Sequence, residues 1–217
     1  MPNKIWDKIF RLKEWGRYPS ENLIKFIVKN FYHLKRSEIK ILEIGCGPGA
    51  NIWYLSREGF NSFGIDISSV AINKAQKRLE EDQLTASLKV GDVSKLPYES
   101  GTFHAVIDNA CLYNNDKKKT RIILEEIKRV LKPQGLFYSQ TFSDDIYKGR
   151  SFTRLNELEF KDASDGVFGC GEFFRLANKA SIEELYDDLF TINSISKIQQ
   201  IDDVLRLSYM IVVAQKK

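Results

Sequence analysis

Apolar residues recur along this chain in short blocks whose spacing alternates between two periods. Between positions 39 and 141, runs rich in β-branched and aromatic residues at 39–42, 61–65, 87–90, 103–107 and 135–141 predict strands. The stretches between them, at 50–57, 68–81 and 117–130, carry apolar residues at helical spacing. Strand and helix in alternation predict a parallel sheet with helices on both faces. Ahead of this core, Ile5, Trp6, Ile9, Phe10, Leu12 and Trp15 mark an amphipathic helix over 3–15 that ends at Gly16. Pro19 then breaks the chain, Ser20 is an N-cap, and Leu23, Phe26, Ile27, Phe31 and Leu34 form one apolar helical face. Behind the core the pattern lapses from 142 to 176, where Gly149, Gly166, Gly169 and Gly171 interrupt it. Ser181 is expected to cap a helix running to Leu189, and 191–199 and 205–214 read as a closing antiparallel strand pair.

At 217 residues with 43% hydrophobic composition, the chain can bury one sizeable core. The expected division is a single domain over 1–217: a helical cap at 1–38, a core at 39–141, a loop region at 142–180, and a helix with a hairpin at 181–217. The net charge of +4 is spread over the whole length. Its densest run, Lys117–Lys119, has no interleaved aromatic residues and reads as a solvated helix start, so nucleic acid is disfavoured as a partner. Cys46, Cys111 and Cys170 are odd in number and lack metal-ligand spacing, which argues for a reducing compartment, no disulfide framework and no metal. The first residues lack the apolar run of a signal peptide, and no stretch is apolar for long enough to span a membrane. A cytoplasmic location is the expectation.

The chemistry concentrates where the first strand meets a glycine-rich turn and a helix, in Ile41-Leu-Glu-Ile-Gly-Cys-Gly-Pro-Gly49. Gly45, Gly47 and Ala50 satisfy the loose dinucleotide fingerprint, but two residues argue against a pyrophosphate. Pro48 has no N–H to offer, and Glu43 brings a carboxylate into the same crevice. A ligand carrying a sulfonium, an ammonium and no phosphate suits that turn. Glu43, Gly45, Gly47 and Gly49 resemble the first motif of the class I S-adenosylmethionine-dependent methyltransferases, E/D-x-G-x-G-x-G, without departure.

The resemblance implies an α/β fold, a doubly wound, seven-stranded Rossmann-like sheet with an antiparallel last strand, and S-adenosylmethionine as cofactor. It implies that Asp66, at the end of the second strand, binds the ribose hydroxyls and that Ile67 packs on the adenine. Asp92, with Val93 beside it, takes the position of the residue that accepts from the adenine amino group, while Cys46 and Asp108 complete the expected cofactor site. Trp15, Arg17 and Tyr18, in the leading segment, are expected near the methionine end or the acceptor. His104 opens a strand, is expected to face solvent, and is given no role.

The fourth strand ends in Asp108-Asn-Ala-Cys-Leu-Tyr113, where the family brings acceptor and methyl group together. The Asn/Asp-Pro-Pro-aromatic turn of base-amine methyltransferases is missing, and Cys111 has no preceding proline to support a cytosine C5 nucleophile. Asn109 and Tyr113 are the residues expected at the reacting centre, although an ordinary tyrosine pKa of about 10 makes Tyr113 a poor base. Tyr147, Glu172 and Arg175 are candidate acceptor contacts, with arginines able to grip an anion bidentately. These features together imply methyl transfer to an oxygen or nitrogen of a small molecule, a sugar or polysaccharide precursor being one conceivable acceptor. The scarcity of histidine favours an amine or an already ionised acceptor. A nucleic-acid or protein methyltransferase, a non-catalytic cofactor-binding protein and an NAD-dependent oxidoreductase are the competing readings.

Overall fold

The computed structural model describes residues 2–169, 172–201 and 206–217. Cys170, Gly171 and Leu205, singled out in the sequence, lie outside them. Six helices are described: α1 (Pro2–Leu12), α2 (Glu21–Phe31), α3 (Ala50–Arg57), α4 (Ser69–Glu81), α5 (Lys117–Val130) and α6 (Lys179–Tyr186). The strands are β1 (Lys40–Ile44), β2 (Asn61–Asp66), β3 (Ser87–Val90), β4 (Phe103–Asn109), β5 (Leu131–Phe142), β6 (Thr153–Arg154), β7 (Glu159–Lys161), β8 (Phe173–Arg175), β9 (Phe190–Ile201) and β10 (Arg206–Lys216).

Seven strands form one sheet in the order β3-β2-β1-β4-β5-β10-β9. The first five run parallel, and β10 enters antiparallel to both β5 and β9. Alternation along the central strands sorts the two faces. Ile41, Ala105 and Ile107 pack under α2 and α3, through Leu23, Phe26, Ile27, Tyr54 and Leu55. Leu42, Ile44, Phe103 and Val106 face the other way, onto α5 and α6. The strand order reverses between β1 and β4, and in such sheets the crevice at the carboxyl ends of those strands is where ligands bind.

Several boundaries differ from the sequence expectation. α1 stops at Leu12, so Trp15 stands in the irregular segment that follows it. The final helix starts at Lys179 because Asn178 is its N-cap; Ser181 is the reciprocal partner in a capping box, and the helix ends at Tyr186. The stretch after Phe142 is not patternless. β6, β7 and β8 make a small antiparallel sheet there, backed by an aromatic cluster in which Phe168 and Phe174 stack with ring centroids 4.1 Å apart. His104 does not simply face solvent: its Nδ1 accepts the backbone N–H of Lys40 at 3.0 Å, and burial followed by the Lys132 ammonium holds its pKa below the usual value.

Candidate active site

Three neighbouring strands each end in a buried acid. Glu43 on β1 is 2% exposed, Asp66 on β2 is 6% exposed, and Asp108 on β4 is fully buried. Their local partners give them different jobs.

Asp108 is consumed by the fold. Its Oδ1 accepts the N–H groups of Cys111 and Leu112 at 2.8 and 3.1 Å, and its Oδ2 accepts the Ser139 hydroxyl at 2.6 Å. It therefore folds the turn that carries Asn109 to Tyr113 and does not line the cavity, contrary to the cofactor contact expected of it. Asp66 ties the glycine turn to β2: its Oδ2 accepts the Gly47 N–H at 2.9 Å and its Oδ1 the Ser68 N–H at 2.8 Å. Each of those oxygens keeps a second lone pair for a ligand hydroxyl. Burial raises the Asp66 pKa, and the two N–H bonds oppose that rise.

Glu43 is the least compensated. Asn51, the second residue of α3, donates from its side-chain amide to Oε1 at 2.5 Å, while Oε2 and the Asn51 Oδ1 are buried without a hydrogen-bond partner. Burial, with Asp66 and Asp108 adding repulsion against the Asn51 bond, pushes the Glu43 pKa up to about 8. A buried carboxyl in this condition is suited to a cationic ligand group.

Glu43 and Asp66 open onto a cavity of about 770 Å3. Gly45, Gly47 and Gly49 all have positive φ, but for different reasons. A Cβ at Gly45 would lie 2.5 Å from Cys111 Sγ and one at Gly49 would lie 2.8 Å from Ala75 Cβ, so those two glycines serve packing. A Cβ at Gly47 would instead meet the Phe10 ring at 3.6 Å, an ordinary van der Waals contact. Gly49 accordingly does not line the cavity. The Cys111 thiol is pushed well up by burial and then by Asp108, the opposite of an activated nucleophile.

Beyond Glu43, Gly45, Cys46, Gly47 and Asp66, the cavity is lined by Ile67, Asp92, Val93, Asn109 and Tyr113, and by Trp15 and Tyr18 from the leading segment. Asp92 is exposed; its Oδ1 accepts from the Ser94 N–H and hydroxyl at 2.9 and 2.8 Å, and Lys119 lies 3.4 Å from Oδ2. Burial penalises its charge, but the Ser94 bonds and Lys119 outweigh that and hold its carboxyl below the usual range.

Four further expected contacts stand elsewhere. The Arg17 carbonyl accepts from the Arg78 guanidinium outside the cavity. Arg175 is 7% exposed and donates to the Asn115 carbonyl and the Thr120 hydroxyl, so it is a structural brace. Tyr147 donates to Asp165, and Glu172 is exposed away from the cavity lining. The sequence reading passed over Trp6 and Phe10 of α1, Phe142, Phe173 and Tyr209, all of which line the cavity. The helical spacing of Trp6 and Phe10 was a usable signal. Phe142 and Tyr209 meet only through the β5–β10 register, which no local pattern announces. Lys119 also leaves the solvated run assigned to it and reaches the cavity.

Residues 41–135 match the family model described as a methyltransferase domain. Over those residues the chain is a methyltransferase domain by sequence. The human mitochondrial arginine-hydroxylase NDUFAF5 is 30% identical over 145 residues, which are 65% of this chain and 40% of that protein. The chain thus spans well under half the length of that curated relative. A crystal structure of a SAM-dependent methyltransferase from Methanosarcina mazei superposes on the methyltransferase domain and its flanks with a TM-score of 0.75 at 23% identity, covering 92% of this chain and 98% of that one. A Burkholderia thailandensis 1,6-didemethyltoxoflavin-N1-methyltransferase, with its substrate and S-adenosylhomocysteine bound, gives 0.68 at 18% identity, covering 91% and 77%. At those identities the two structures are likenesses of fold. Among the described residues no helix is long and apolar enough to cross a membrane.

Proposed function

We propose that this protein transfers the methyl group of S-adenosylmethionine to an oxygen or nitrogen atom of a small molecule. The observation that carries the reading is the orphaned Oε2 of Glu43, buried at the head of the sheet beside Asp66 with only the Asn51 amide as company. The cofactor fits that donor set group by group. Its cationic methionine end answers the uncompensated carboxyl, its ribose hydroxyls answer the spare lone pairs of Asp66, and its adenine amino group answers Asp92. Ile67 and Val93 supply apolar surface for the purine. A dinucleotide would bring its pyrophosphate against the same acids and against Pro48, which has no N–H to donate.

The chemistry supplied by the bound cofactor is a methyl group on a positively charged sulfur, already a strong electrophile. The chain's own residues then have to hold, align and dry the site. α1 lays Phe10 over Gly47, and Asp7 of the same helix accepts from Ser68 and Val70 at the start of α4, so the leading segment covers the glycine turn. The Asp108-pinned turn presents Asn109 and Tyr113 to the cavity, with Tyr113 held edge-on against Phe142 at 4.7 Å between centroids. Among the described residues lining the cavity there is no histidine. Alignment, able to supply several kcal/mol by itself, is therefore the main catalytic device, and it suits an acceptor that needs little help losing a proton.

Two measurements test the reading. Calorimetry is expected to show S-adenosylmethionine and S-adenosylhomocysteine binding with one site per chain. Incubation with labelled cofactor and a fractionated metabolite pool is expected to yield a methylated small molecule by mass spectrometry. Absence of cofactor binding overturns the proposal. Binding without transfer to any fraction would instead point to a non-catalytic cofactor-binding protein.

A further inference from the structure

Part of the cavity lining is aromatic. Tyr113 meets Phe142 edge to face at 4.7 Å and 88°, and Phe142 packs against Tyr209 at 5.4 Å across the β5–β10 register. Phe173 from β8 and Val167 from the turn before it also line the cavity. Tyr113 comes from the turn after β4, Phe142 from β5, Phe173 from β8, Tyr209 from β10 and Val167 from the turn before β8. They form an aromatic stretch in the lining of the cavity that Glu43 and Asp66 also line.

Three arginines that could grip an anionic acceptor bidentately are engaged elsewhere. Arg175 braces Asn115 and Thr120, Arg150 pairs with Asp165 at 3.3 Å, and Arg154 donates to the Asn156 carbonyl with its guanidinium 6.0 Å from the Phe160 ring. Two lysines reach the cavity, Lys13 and Lys119, and Lys119 already pairs with Asp92. A phosphate placed here would face rings and carboxyls without a bidentate partner. A flat neutral ring gains both burial and edge or stacking contacts, each worth about 0.5–1.5 kcal/mol beyond area alone. Lining residues at the mouth are themselves apolar and exposed: Trp15 by 45%, Tyr18 by 73% and Val167 by 43%.

We infer that the acceptor is a flat, uncharged aromatic or heteroaromatic molecule whose own nitrogen or oxygen takes the methyl group, and not a sugar or a phosphorylated precursor. The transfer step rests on the methyltransferase reading above; binding of the ring does not. In that step an acceptor lone pair forms the bond to the methyl carbon as the carbon–sulfur bond breaks. The bonding pair stays on sulfur, which leaves as the neutral thioether of S-adenosylhomocysteine, and the acceptor's proton goes to water. A ring-conjugated amine or phenolic hydroxyl releases such a proton readily, in keeping with a cavity that offers no histidine.

The test is calorimetric titration of 7-hydroxyquinoline and, separately, glucose 6-phosphate into the full chain, with and without saturating S-adenosylhomocysteine. The expected result is that the hydroxyquinoline binds at least about tenfold more tightly than the sugar phosphate. Tyr209→Ala is expected to weaken it by about fivefold or more, the loss of one ring contact. Val167→Asp, at an exposed position that spares the core, is expected to do the same, and both variants keep the parent affinity for S-adenosylhomocysteine. Tighter binding of the sugar phosphate, or hydroxyquinoline binding indifferent to Val167→Asp, overturns the inference. If S-adenosylhomocysteine binds and the ring does not, this inference fails alone. If the ring binds and S-adenosylhomocysteine does not, the methyl-transfer reading fails and the aromatic stretch stands as the ring's site.

Discussion

Asp7 Oδ1 accepts a hydrogen bond from Ser68 Oγ at 2.6 Å, joining α1 to the residue that caps α4 two positions after Asp66. The Ser68 bond, working against burial, holds the Asp7 pKa below the ordinary value. A depressed carboxyl contributes above its unfolded pKa and loses that contribution as pH falls through its folded one. The latch is therefore closed near neutrality and opens only in acid. Asp7→Ala is expected to weaken S-adenosylmethionine binding by about tenfold, a scale set by one charge-assisted bond of roughly 1.5 kcal/mol. The melting temperature is expected to fall by only a few degrees, on the scale of about 2–4 °C per kcal/mol for a domain of this size. Parallel calorimetry and thermal melts check this, and an unchanged affinity would remove α1 from the site.

The three turn glycines should separate experimentally. Gly45→Ala and Gly49→Ala meet Cys111 Sγ and Ala75 Cβ, so both are expected to lose stability first, by more than the roughly 1–2 kcal/mol of left-handed strain alone. Gly47→Ala carries the strain without the clash and is expected to lose cofactor affinity with a smaller loss of stability. Adding Ala75→Gly should restore part of the Gly49→Ala loss, because it removes the clashing Cβ. Urea unfolding of the three variants and the double variant reads the pattern; equal stability losses in all three would contradict it.

Asp66 and Asp92 are both proposed cofactor contacts but differ in burial. Asp66→Asn keeps an oxygen for one backbone N–H and loses charge-assisted acceptance, so a loss of about 10- to 100-fold in affinity is expected, from 1.5–3 kcal/mol. Asp92 is exposed and already shares its charge with Ser94 and Lys119. Asp92→Asn is therefore expected to cost about tenfold or less, with a loss of exposed-pair magnitude. Titration of both variants with S-adenosylhomocysteine gives the ranking directly, and the reverse order would mean that Asp66 serves only the turn.

The strands from 39 to 141 were legible because their residues alternate or run apolar against helices of clear period, and 117–130 matched α5 end for end. That Glu43, Gly45, Gly47, Asp66 and Asp92 line one cavity was legible because each sits at or just after a strand end, where local sequence fixes what the backbone does. Other parts were not. Asp108 has the same sequence context as Asp66 but is turned into Ser139 on β5, a pairing 31 residues away. Arg175 looked like an anion grip and is a brace because Asn115 and Thr120 arrive from 60 and 55 residues away. The aromatic wall depends on β5–β10 register and on the small sheet, both long-range products of the fold.

Glu43 gives the fold a pH signature. Its folded pKa of about 8 stands above the unfolded value of 4.5, so the folded state retains a proton that the unfolded state releases between those values. Stability from this group therefore falls as pH rises from 4.5 to about 8. Glu43→Gln removes the buried acid and is expected to flatten that slope, matching the parent near the acid end and exceeding it near the alkaline end. Urea unfolding of the ligand-free protein at the two ends checks it; parallel pH profiles would refute the buried-acid account.

Burial raises the Glu43 pKa, so a cationic ligand arriving beside it is expected to displace its proton. Calorimetry of S-adenosylmethionine binding near neutral pH, in two buffers of different ionisation enthalpy, reads that exchange directly. The account predicts net proton release by the parent protein, no release by Glu43→Gln, and weaker binding by that variant. Binding with no proton released, or Glu43→Gln binding as tightly as the parent, would contradict it.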